Sequence, residues 1–255
     1  MTPRTVFITG ASSGLGRGLA DHYATAGATV YAVARRRERL DAFRGELEAS
    51  GARGRIVPVP LDVCDCEGLA RAISDAERDA GDALDLVIAN AGVARPTPAA
   101  KIDWRDVRDT MDVNVTAACV TISAALPAMV ARGSGSVVAV SSLAAFRGLP
   151  ANAAYSASKA ALGVFMESLR VDLHGTGVRA ISIHPGFVKT EMTEKNRFPM
   201  PFLMELDAAV AQMVKGIARG EPVIAFPRAL AAVMTAARAV PGFAWERLAS
   251  RARTF

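Results

Sequence analysis

Residues that staple small or secreted proteins are scarce in this sequence. There are three cysteines, Cys64, Cys66 and Cys119, and three cannot all pair with one another. Cys64 and Cys66 lack the second ligand pair that a zinc site needs. Free thiols in a reducing compartment are expected, and with them a cytoplasmic protein. The three histidines, His22, His174 and His184, stand at unrelated spacings, so no metal centre is expected. No stretch reaches the roughly 18 consecutive apolar residues of a membrane span. The apolar run 5–9 is strand-sized and stops at Gly10, which does not read as a signal peptide.

What is present describes an ordinary globular protein. Of 255 residues, 51% are hydrophobic and 22% charged, which excludes collagen, coiled coil and disordered chain. A chain of this length buries a large core without staples. The formal charge of +5 is uneven. Residues 208–255 hold seven basic side chains against two acids and carry all of it, leaving residues 1–207 neutral. A basic nucleic-acid footprint would have to lie in that tail, and no nucleic-acid partner is expected.

Apolar strand-like runs at 5–9, 28–34, 55–61, 85–89, 135–141, 178–184 and 222–226 alternate with helical periodicity at 15–26, 36–49, 69–80, 104–132, 153–174 and 206–219. Several runs are nearly continuous in Val, Ile and Ala, as in strands buried on both faces of a parallel sheet. The alternation predicts an α/β fold: a doubly wound, Rossmann-type parallel sheet of about seven strands with helices on both faces. No Pro/Ser-rich linker interrupts it, so residues 1–255 read as a single domain. Residues 191–206 break the rhythm with two prolines, two phenylalanines and three methionines. They read as a substrate-side loop, or as a loop that simply packs on the core.

The first strand runs into Gly10-Ala11-Ser12-Ser13-Gly14-Leu15-Gly16, and a helix follows. Glycines let the backbone turn sharply and let a pyrophosphate approach. The free N–H groups of the helix start then face the phosphates. Ser12 and Ser13 offer hydroxyl donors. Further marks follow in order: Asp62 after the third strand, Asn90-Ala91-Gly92 after the fourth, Asn114, Ser142, Tyr155-x3-Lys159 and Pro185-Gly186. With these the sequence resembles the short-chain dehydrogenase/reductase family over roughly residues 4–190. Ala89 departs from the pattern, standing where an asparagine is frequent.

Tyr155 and Lys159 are four apart and share a helix face. A lysine ammonium beside a phenol favours the phenolate, giving a proton carrier for carbonyl/alcohol interconversion. Ser142 ends the fifth strand, where its hydroxyl can donate to a substrate carbonyl oxygen. Ser141 competes on geometry, and the family spacing of thirteen residues to Tyr155 favours Ser142. An interior Asn114 must satisfy its amide. It does so by a structural hydrogen bond, or beside a proton-relaying water as the resemblance implies, or both.

The resemblance further implies that Lys159 meets the nicotinamide ribose, as Tyr155 lies beside that ring. It places Pro185 and Gly186 behind the nicotinamide, Val188 and Thr190 at its carboxamide, Asn90, Ala91 and Gly92 along the cleft, and Asp62 and Val63 at the adenine. An NAD-preferring site usually has an acid at the end of the second strand. Here Ala34 holds that place and Arg35-Arg36-Arg37 follow. Guanidinium groups bind a 2′-phosphate, so NADP (NADPH) is the expected cofactor, with Arg35 the first choice of ligand and Arg36 the second.

The expectation is an NADP-dependent oxidoreductase acting on a small-molecule carbonyl or alcohol. The alternative is a catalytically silent nucleotide-binding scaffold of the same fold. Phe146, Leu149, Phe187, Phe198, Met200 and Phe202 would line an apolar substrate pocket. A homo-oligomer, dimer or tetramer, is expected. The tail 228–255 reads as amphipathic and basic, with Leu230, Val233, Met234, Ala237 and Val240 on one side of a helix. Packing on the body or a partner subunit is favoured over contact with a membrane surface.

Overall fold

The computed structural model describes residues 2–194 and 199–251. Seven strands form one sheet: β1 Thr5–Thr9, β2 Thr29–Ala34, β3 Arg55–Pro60, β4 Leu86–Ala89, β5 Gly135–Val140, β6 Val178–Pro185 and β7 Val223–Phe226. All neighbours pair in parallel, in the order β3-β2-β1-β4-β5-β6-β7. The expected doubly wound sheet is therefore present. Its direction of winding reverses between β1 and β4, the place where such sheets leave a crevice at their carboxyl ends.

The strands are apolar throughout because each face carries helices. In β1, Val6 and Ile8 face one layer and Phe7 the other, all fully buried. Each such side chain contributes about 1.5–3 kcal/mol of transfer energy. Helices α1 (Gly14–Thr25), α2 (Arg37–Ala49) and α7 (Leu206–Arg219) cover the first face. The second is covered by α3 (Cys66–Ala80), α5 (Ala117–Arg132) and α6 (Ala153–Asp172). Asp65 starts α3 three residues earlier than periodicity indicates, its carboxylate accepting the Gly68 N–H at 2.9 Å.

The single helix expected over 104–132 is interrupted. It opens as α4 (Trp104–Met111), widens into a π-helical turn at Asp112–Thr116, and resumes as α5. By length and composition the run Trp104–Arg132 is apolar enough to cross a membrane, which counting consecutive apolar residues misses. On one side of it Ile122 and Met129 are fully buried, in the cluster that α3 and the sheet share.

The tail forms α8 (Arg228–Ala237) and α9 (Gly242–Arg251). Ala231 and Met234 pack with Leu143, Phe146 and Leu149, and Trp245 Nε1 donates to the Gly148 carbonyl at 2.9 Å. The tail thus lies on the body. Val233, expected on the buried side, is 62% exposed. The seat is narrower than the helical wheel, so the face centres on Ala231, Met234 and Ala237.

Candidate active site

The glycine turn between β1 and α1 is built for close approach. Gly10 and Gly14 adopt φ of 71° and 55°, which L side chains rarely do. A Cβ on Gly16 would lie 2.3 Å from the Gly10 carbonyl oxygen, so no side chain fits there. Ser13 is extended and its hydroxyl does not cap α1, which leaves the first N–H groups of the helix for a ligand. Leu15 lies in the first turn of α1 and packs against the core. Across the crevice, the Thr9 hydroxyl accepts from the N–H groups of Asn90 and Ala91 at 3.0 and 3.1 Å. Asn90 Nδ2 donates to the Thr9 and Gly10 carbonyls at 3.0 and 3.3 Å. The amide of Asn90 thereby fixes the phosphate turn to the end of β4.

At the outer end, Ser12 and Ser13 accept from Arg36 Nη2 at 2.9 and 3.4 Å, and each hydroxyl keeps its own O–H to donate. Arg36 and Arg39 both meet Glu191, at 3.6 and 2.6 Å. Arg35 turns away, its side chain 74% exposed and its guanidinium 3.9 Å from the Asp62 carboxylate. Arg36, not Arg35, is therefore the guanidinium against the turn. Val63 is buried, while Asp62 is exposed and accepts the Cys64 N–H at 3.0 Å.

The carboxyl ends of β4 and β5 carry the reactive side chains. Asn114, fully buried in the π-turn, accepts the Val93 N–H at 2.8 Å and donates to the Val93 carbonyl at 3.0 Å. It also donates to Ser158 Oγ at 2.9 Å, whose hydroxyl donates on to the Tyr155 carbonyl at 2.7 Å. Both N–H donors of its side-chain amide are thus taken by structural hydrogen bonds, while Oδ1 keeps one acceptor position. Ser141 points into the fold and donates to the Lys159 carbonyl at 2.7 Å. Strand alternation puts Ser142 on the other side, beside Tyr155. The turn of α6 that bears Tyr155 and Lys159 is held at both carbonyls by serine hydroxyls.

Ser142 accepts the Ala144 N–H at 3.1 Å, and its hydroxyl donates to the Pro185 carbonyl at 3.4 Å. Its hydrogen bond with Tyr155 lowers the phenol's pKa, but burial is the larger influence and holds it above the ordinary value. Lys159 is 4% exposed; its Nζ donates to the Val140 carbonyl at 2.8 Å and stands 5.8 Å from the Tyr155 ring centre. Burial lowers its pKa to about 8. Tyr155 thus stays above its ordinary pKa in this arrangement, where Lys159 Nζ is directed to the Val140 carbonyl of β5. A Cβ on Gly92 would lie 3.3 Å from both Lys159 Nζ and Asn114 Oδ1, so the missing side chain lets the crevice reach these groups.

Beyond β6, Gly186 N–H donates to the Phe226 carbonyl at 2.7 Å, and buried Val188 pairs with Met204 to close the neck of the following loop. A Cβ on Gly14 would lie 3.3 Å from Thr190 Cγ2, which brings the start of this loop over the phosphate turn. Phe146 packs against His184, and Phe187 and Met200 are half-buried. Phe202 is 57% exposed, and Phe198 lies outside the described residues.

A parallel sheet with a glycine turn at its switch point defines a dinucleotide-binding α/β protein, and the Ser142, Tyr155 and Lys159 cluster beside it narrows the class to oxidoreductases. The chain belongs to the short-chain dehydrogenase/reductase family: the sequence model for short chain dehydrogenases matches residues 4–200. An uncharacterized oxidoreductase of Myxococcus xanthus is 51% identical over 253 residues, spanning 99% of each chain. A short-chain dehydrogenase from Sphingobium yanoikuyae in complex with NADPH superposes with a TM-score of 0.81 at 28% identity, over 98% of this chain and 96% of that one. A Burkholderia phymatum enzyme in complex with NAD shares the fold at a TM-score of 0.82 and 22% identity, over 91% of each chain. The family uses NAD or NADP, and the glycine cradle fits such a dinucleotide. Ser158, Thr9, Arg39 and Glu191 were not singled out from sequence, since their roles depend on which elements cross.

Proposed function

We propose that the protein is an NADP-dependent oxidoreductase that interconverts a carbonyl and a secondary alcohol, with Tyr155 as proton carrier. The observation that carries this reading is the hydroxyl pair of Ser142 and Tyr155 at the mouth of the crevice, with the buried Lys159 ammonium 5.8 Å from the Tyr155 ring. A nicotinamide cofactor, when bound, would supply or take the hydride. Tyr155 gives its proton to the developing alkoxide, and Ser142 donates to the same oxygen, stabilising charge as it forms. Lys159 adds positive charge beside the phenol and offers its remaining N–H donors to ribose hydroxyls. Gly10 to Gly16 and Asn90 shape the pyrophosphate seat. Arg36, with Arg39 beside it, supplies the cationic seat for a 2′-phosphate.

Tyr155→Phe keeps the ring and removes the proton. Reduction of ketones by NADPH should fall at least about a hundredfold, the usual worth of a general acid, while NADPH affinity by calorimetry changes little. Lys159→Ala should impair both. Wild-type turnover in the Tyr155→Phe protein would end the assignment.

A further inference from the structure

His184 is a buried side chain that the proposed reaction leaves without a task. It sits on β6, 4% exposed, directly before Pro185. Nδ1 lies 3.2 Å from the Ser142 carbonyl oxygen, and Nε2 lies 3.2 Å from Ser182 Oγ. A carbonyl only accepts, so Nδ1 carries the hydrogen. A neutral imidazole has one N–H, which leaves Nε2 as acceptor and makes the Ser182 hydroxyl its donor. Phe146 packs on the ring with centroids 5.0 Å apart, and a Cβ on Gly163 of α6 would lie 3.8 Å from Cε1. The charged groups facing the ring are Arg170 and Lys159 on α6 and Arg238 after α8. With burial, they disfavour a second proton and hold the pKa at about 4. The ring is therefore neutral through the physiological range.

The carbonyl of Ser142 has two acceptor positions. Ala145 N–H takes one at 3.0 Å and His184 takes the other. With the Ala144 N–H on its hydroxyl, Ser142 is tethered on both its carbonyl and its side chain. We propose that His184 is a positioning residue whose Nδ1–H pins the peptide following Ser142 and so aims the Ser142 hydroxyl at Tyr155. Its catalytic meaning rests on the proposed carbonyl/alcohol reaction; its geometry does not.

Two substitutions separate the two ring nitrogens. His184→Asn places an amide N–H where Nδ1 stood and keeps the bond to Ser142. His184→Gln reaches the Ser182 position and loses it. Long-range 15N–1H NMR at pH 7 on the whole protein should show His184 as the neutral Nδ1–H tautomer, distinct from the exposed His22 and His174. An Nε2–H tautomer or an imidazolium overturns the proposal. With NADPH and a panel of acetophenone, 2-decanone and benzil, kcat in His184→Gln should fall on the order of tenfold. The KM for NADPH should stay unchanged. The pH profile of kcat should move upward, because a misdirected Ser142 no longer lowers the Tyr155 pKa. His184→Asn should restore both. A His184→Gln protein with wild-type kcat and pH profile, or a His184→Asn protein equally impaired, overturns it.

If the wild-type protein reduces none of the panel, the proposed function fails on its own account. Amide exchange at Ala144 and Ala145 then decides the positioning role. Faster exchange in His184→Gln alone supports it, and equal exchange in all three proteins overturns it.

Discussion

Two neighbouring arginines with one sequence context end in different places. Arg36 bonds the hydroxyls of Ser12 and Ser13, while Arg35 faces solvent and Asp62. Arg36→Ala should therefore weaken NADPH more than NADH, by on the order of tenfold for one lost charged hydrogen bond. Arg35→Ala should have the smaller effect. Titrating both cofactors by fluorescence checks this, and equal losses for NADPH and NADH in Arg36→Ala would remove it from the phosphate seat. His184 makes a prediction about stability. Its folded pKa of about 4 lies below the ordinary 6.5, so the unfolded chain takes up the proton first. Stability from this group is whole above pH 6.5, falls between pH 6.5 and 4, and is lost below. The loss amounts to about 3 kcal/mol. Urea unfolding at pH 7 and pH 4.5 should show a smaller drop in His184→Asn than in wild type, other groups being common to both.

The elements show what a sequence carries and what it hides. The strands were legible because burial on both faces forces Val, Ile and Ala into continuous runs, as in Val6-Phe7-Ile8 and Val137–Val140. The glycine turn was legible because Gly10 and Gly16 have no room for a side chain. The π-turn at Asp112–Thr116 was not, since widening a helix by one residue changes hydrogen-bond register and leaves the apolar period almost intact. An asparagine amid apolar neighbours was the only hint. Nor could Ser158 be singled out, or Ser141 be given its bond to Lys159, as these depend on how the π-turn and β5 meet α6. Asn114→Ala would strip three hydrogen bonds and leave the Val93 peptide groups unpaired. It should cost about 3 kcal/mol in denaturant unfolding and lower turnover through a displaced Tyr155. Unchanged stability would mean the amide does not hold the turn.

For the molecule as a whole, the C-terminal helices act as a buttress on the Leu143–Ala145 turn that follows Ser142. Ending the chain at Phe226 exposes Leu143, Phe146 and Leu149. It should lower the melting temperature by about 5–10 °C, from the apolar burial lost. An unchanged melting temperature would assign the tail another purpose. The molecule is also clasped across its crevice. Glu191, on the segment after β6, meets Arg36 and Arg39 beside β2, so the two halves of the sheet share one ion cluster. That carboxylate is a resident counter-ion. An anion that seats itself on these arginines exchanges with Glu191 instead of meeting bare cations, and few ions from solution need to be displaced. Its binding should therefore weaken only gently as sodium chloride is raised, whereas Glu191→Gln should bind 2′-AMP more tightly at low ionic strength and lose that advantage steeply as screening sets in.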